Sequence, residues 1–129
     1  MKIKFSQKIL NAGGEIVKNL SVETRRQSQT EYAIGAESAL IFDRGNARVF
    51  AAFEIERAHA SEADAAAFAA THAHELSLMS PATLAFDAES PRKTIEFEDA
   101  ALAKLRVDAD AASTNARYEF AARYPKDAQ

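Results

Sequence analysis

The chain has 129 residues, 27% of them charged and 47% hydrophobic, with a formal net charge of −3 and no cysteine. Those values suit one globular domain with a real core and exclude a disordered chain. They also remove disulfides, thiol chemistry and any general attraction to nucleic acid or anionic membranes.

No apolar run approaches the ~20 residues that span a bilayer. Lys2, Lys4 and Lys8 stand where a signal peptide needs its apolar core, which argues against export by that route. The expectation is a cytoplasmic or virion-associated protein that needs no cofactor and has neither nucleic acid nor membrane as a partner.

In chain order, Lys2 to Leu10 alternates Ile3 and Phe5 against Lys2, Lys4 and Ser6. Asn11-Ala12-Gly13-Gly14 is a turn cluster, and Glu15 to Val22 resumes the alternation, so a first hairpin is expected here. Glu23 to Glu31 carries no apolar residue and reads as a solvated strand extension or loop. Within it the pair Arg25-Arg26 can grip an acidic partner, although a solvated charge run is the simpler reading.

Ala39 to Phe42 leads to a turn at Asp43-Arg44-Gly45-Asn46, where Gly and Asn tolerate the positive φ of a tight return. Beyond it Val49, Ala51, Phe53 and Ile55 share one face of a strand, while Arg48, Glu54 and Glu56 share the other with Phe50 and Ala52. An apolar ring on the outer face points to a central strand.

Ser61 then caps the principal helix, at about 61–77, with Glu62 and Asp64 at the positive end of its dipole. Ala65, Phe68, Ala69, His72 and Leu76 form its apolar stripe, and Ser80-Pro81 ends it. Further strands follow at Thr83–Asp87, Thr94–Glu98, Ala101–Ala109 and around Tyr118, Phe120 and Tyr124, with a turn at residues 112–115.

The fold class expected from this order is α+β, mainly antiparallel, with about eight strands and one principal helix packed on a sheet face. Residues 1–124 form a single domain, and 125–129 are a polar C-terminal tail.

Chemistry is sparse. His72 and His74 diverge by about 200° on a helix and do not chelate one ion. The carboxylate pairs Glu54/Glu56, Glu96/Glu98 and Asp108/Asp110 lie two apart on strands, a spacing shared by acid–base sites and by ordinary solvated faces. No nucleophile elbow, phosphate loop or dinucleotide fingerprint occurs, so no catalytic, cofactor or metal residue is assigned and no enzyme is expected. In Arg117 to Tyr124 the rings share one strand face and Arg117 and Arg123 the other, which favours core burial over nucleic-acid stacking.

From about residue 46 to 124 the order of features resembles small phage and prophage tail-associated proteins. The residues concerned are the strand Arg48–Arg57, the helix Ala63–Leu76, the segment Phe97–Leu102 and the closing Ala116–Phe120. The resemblance implies a strands-helix-strands unit that builds tail rings or their accessories and carries no catalysis. It transfers no site residue.

The expected function is therefore structural, acting through self-association or protein partners. Arg25 and Arg26 of one copy would meet Glu96 and Glu98 of the next. The alternative is a small ligand-binding module with its pocket between helix and sheet, its ligand unknown.

Overall fold

The computed structural model describes residues 1–26, 47–89, 91–123 and 125–128. Its strands are β1 (Lys2–Phe5), β2 (Lys8–Ile9), β3 (Val17–Arg26), β4 (Ala47–Ala58), β5 (Ala82–Glu89), β6 (Arg92–Asp110), β7 (Ser113–Ala122) and β8 (Pro125–Ala128). The helix α1 (Glu62–Ser77) lies between β4 and β5. All pairings are antiparallel, and the path runs β2-β1-β5-β6-β7-β4-β3, with β8 on β6 off that path. The protein is thus α+β, with one helix among the described residues.

Helix α1 starts where its cap predicts. Ser61 Oγ accepts from the Asp64 backbone N–H at 3.1 Å, and Glu62 and Asp64 occupy the first turn. Ala65, His72 and Leu76 are buried, and Phe68 and Ala69 are half-buried, so the stripe faces inward.

The central reading of β4 holds, since β3 and β7 flank it. Val49, Ala51, Phe53 and Ile55 are all buried, as period-two alternation requires.

The pairing of the N-terminal segment is not the expected hairpin. Ser6 takes φ 57 and splits Lys2–Leu10 into β1 and β2. β1 pairs with β5 on its other side, and β3 pairs with β4. The Asn11–Gly14 cluster still turns the chain, because the Asn11 side chain binds the backbone three times. Its Oδ1 accepts from Ile3 N–H at 2.9 Å, and its Nδ2 donates to the carbonyls of Met1 at 2.7 Å and Glu15 at 3.1 Å.

The segments Thr94–Glu98 and Ala101–Ala109, expected as two strands, run as the single 19-residue β6. Two irregularities let it keep apolar side chains inward throughout. Asp99 adopts φ 51 where the register with β5 shifts, and a second shift against β7 falls at Ala103. Each extra residue reverses the in–out phase. Ile95 and Phe97, then Ala100 and Leu102, then Leu105 and Val107 therefore all point to the core, while Ala103 is exposed.

The β6–β7 return is made by Ala111-Ala112 instead of residues 112–115. Ser113 to Asn115 are in ladder with β6, and Ser113 Oγ donates to the Asp110 carbonyl at 3.0 Å. Residues 125–128, expected as a tail, pair with Phe97 to Thr94. β8 continues along β6 beyond β7, because the Arg123 N–H donates to the Glu98 carbonyl at 3.0 Å and carries the ladder across the gap. The described residues thus hold a path of seven strands with β8 off it, divided differently from the eight expected. The expected strand at 39–42 and its turn lie outside the described residues.

The sheet folds onto itself around β6, so rings from its two halves meet. Phe5 lies 4.8 Å from Phe120, and Phe53 lies 5.7 Å from Phe86. Phe53 also stacks on Tyr118 at 5.0 Å and on Phe120 at 6.0 Å. Phe68 of the helix serves a different group of residues, described below. Because Phe53 is buried among three rings, Phe53→Ala should cost about 3–5 kcal/mol through lost transfer energy and the cavity left behind. Chemical denaturation checks this, with a lower midpoint expected.

Candidate functional site

The inward face of β4 does not end at Ile55. Arg57 is next in phase, and it is 8% exposed, against Tyr118 of β7 and Phe68 of α1. Its Nη2 donates to the Tyr118 hydroxyl at 2.6 Å and to the Leu10 carbonyl at 2.7 Å. Its guanidinium carbon stands 4.8 Å from the centre of the Phe68 ring and 5.7 Å from that of Tyr118, within cation–π range. Nη1 is buried and has no acceptor among the described residues.

The proton order follows from the donor types. A guanidinium only donates, so the Tyr118 oxygen accepts from Arg57 and keeps its own hydrogen to give. Neutral His72 can take that hydrogen on Nε2, 2.6 Å away, with its own proton on Nδ1. His72 is 3% exposed. Burial first, and then the Arg57 and Lys8 charges, push its pKa down to about 4, so it is neutral at physiological pH. Burial likewise raises the Tyr118 phenol, with the Arg57 charge opposing.

His59 completes the cluster. Its Nε2 is 2.8 Å from Thr114 Oγ1, and its ring lies 5.1 Å from Phe68, which in turn stacks on His72 at 4.4 Å. His72, expected on the stripe as a half-buried histidine, is thus fully buried and hydrogen-bonded, and His74 is exposed. Among the described residues no three metal-ligating side chains converge.

Beside this cluster a groove of ≈ 430 Å³ is lined by Ile16, Lys18, Glu56, Arg57, Ala58 and Ser113. Lys18 Nζ is paired to Glu56 Oε2 at 3.2 Å. Ile16, just before β3, is 80% exposed, and along β3 Leu20 is 41% and Val22 53% exposed. Among the described residues β3 pairs only with β4.

The candidates from sequence fall elsewhere. Arg25 and Arg26 stand opposite Arg48 and Ala47 at the far end of β3. Glu96 is half-buried on β6 between Ala85 and Lys126, and Glu98 is exposed. β7 and β4 lie between β3 and β6 in the strand order. Glu54 accepts from Asn115 at 2.8 Å and Asn19 at 2.6 Å, and those bonds lower its pKa. The Glu54/Glu56 pair is therefore tied into cross-strand contacts. Asp108 pairs with Arg106 at 3.3 Å.

Sequence reasoning passed over Arg57 although its signal was present, since the run 49, 51, 53, 55 continues to 57. No family model, curated protein or solved structure matches the chain.

Tyr118→Phe keeps the ring and deletes the link between Arg57 and His72. It should destabilise by about 1–3 kcal/mol, because two buried polar groups lose their partner. Equilibrium denaturation checks it.

The lowered His72 pKa sets a pH dependence. Stability from the neutral ring is fully present above its unfolded value of 6.5 and is lost as pH falls toward 4. The loss should be on the order of 2 kcal/mol, allowing for relaxation around the charged ring. His72→Gln keeps an acceptor but does not titrate, so its melting temperature should fall less steeply between those pH values.

Proposed function

We propose that the chain is a non-enzymatic structural protein that works by assembling, as a tail component of the phage or prophage type. The observation that carries this reading is the apolar margin of β3. Leu20 and Val22 are exposed along β3 and Ile16 just before it, and each would contribute up to about 1.5–3 kcal/mol if fully covered. A strand with such a margin is a template for another chain. The order of strands, helix and strands between 46 and 124 supports the tail comparison.

The ligand-binding alternative also has an observation in its favour, at a different place from the one expected. Where α1 meets β7, His72 and Phe68 fill the contact, and the groove instead lies at the ends of β3, β4 and β7.

Light scattering after size exclusion, over a concentration series, tests assembly. Mass should rise with concentration. Leu20→Asp with Val22→Asp should return the protein to monomer, with stability changed by no more than about 0.5 kcal/mol per exposed site. A strict monomer at every concentration, with no partner recovered by pull-down, would sink the reading.

A further inference from the structure

The two halves of α1 are tied to the sheet by contacts of different kinds. Those at its N-terminal half do not depend on a proton. The Phe68 ring lies 4.8 Å from the Arg57 guanidinium carbon, and just before the helix the His59 N–H donates to the Ala112 carbonyl at 2.7 Å. The bond between His59 and Thr114 survives either charge state of the ring, because a hydroxyl both accepts and donates.

In the C-terminal half only His72 and Leu76 are buried. Two polar ties join this half to the sheet among the described residues, His72 Nε2 to the Tyr118 hydroxyl at 2.6 Å and Glu75 Oε2 to Lys8 Nζ at 3.7 Å. Acid acts on both. The Glu75 pair is exposed, so neutralising its carboxylate changes little. Protonating His72 changes more. An imidazolium has no acceptor nitrogen, so Nε2 would donate to the same oxygen that already accepts from Arg57. Two cations would then share one buried phenol oxygen. The phenol hydrogen would lose its acceptor, and the hydroxyl has no third partner among the described residues.

We propose that His72 and Tyr118 form an acid-released catch, in which protonation of His72 frees the C-terminal half of α1 while its N-terminal half and the sheet stay in place. Once free, the imidazolium and the phenol take water as their partner. The groups that act on His72 are Tyr118 of β7, Arg57 of β4 and Lys8 of β2, and β6 adds no charge to these. Both charges are positive and favour release. Burial first, and then those charges, lower the His72 pKa from 6.5 to about 4, so the catch holds above 6.5 and is lost as pH falls toward 4. The device does not depend on the assembly reading.

Amide exchange followed by NMR on the full chain, from neutral pH to about 4 and corrected for intrinsic rates, tests the catch. Linkage to one proton makes opening up to about tenfold more frequent per pH unit within that window. Amides of the C-terminal half of α1 should be less protected than those of β4 and β7, and should lose protection first, while the strands keep theirs. His72→Gln retains an acceptor without titrating, so protection in α1 should stay level. Tyr118→Phe removes the catch, so the same amides should exchange fast already at neutral pH. Equal protection in α1 and the strands throughout marks one global opening and overturns the proposal. So does parental protection that stays level, a His72→Gln variant that follows the parent, or a Tyr118→Phe variant as protected as the parent. If either variant fails to fold, the parental series decides.

Discussion

A guanidinium held inside the protein against neutral acceptors constrains everything packed around it. Arg57 donates to the loop after β2 through Leu10 and to β7 through Tyr118, and it lies under the Phe68 ring of α1. Four separate stretches of chain therefore meet on one side chain. Because the ion only donates, the Tyr118 oxygen is the acceptor of that bond, and its hydrogen stays available to a second partner such as His72. A core built from alkyl groups alone would impose no such order. This one orients its helix by a hydrogen bond as well as by the shape of the stripe.

Much of the architecture could be read from residue spacing. Alternation located the inward faces of β4 and β5, and the Ser61 cap with its acidic first turn located α1. What spacing did not disclose were features that break period two. Ser6 and Asp99 adopt positive φ without being glycine, and nothing local announces that an apolar series resumes in the opposite phase after Asp99 or Ala103. Strand partnership was equally hidden. Ile3 and Phe5 fit any inward face, and only the closed fold selects β5 over β3 as their neighbour.

The site was legible by position and missed by chemistry. Alternation through 57 puts Arg57 inside, but an arginine at a strand end is read by default as solvated. The two rings that shelter it, Phe68 of α1 and Tyr118 of β7, come from segments tens of residues apart. Conversely, Arg25 and Arg26 drew attention as an adjacent pair.

β6 gives the molecule a particular mechanical character. It belongs to both halves of the folded sheet, pairing with β5 and β8 along its first part and with β7 along its second. Neither half possesses a complete set of hydrogen-bonded neighbours without this shared backbone. A hinge needs two bodies joined by little, and here they are joined by a full-length strand. The halves should melt together as one cooperative unit, and any adjustment the protein makes on meeting a neighbour is left to its margins, at β2 and β3.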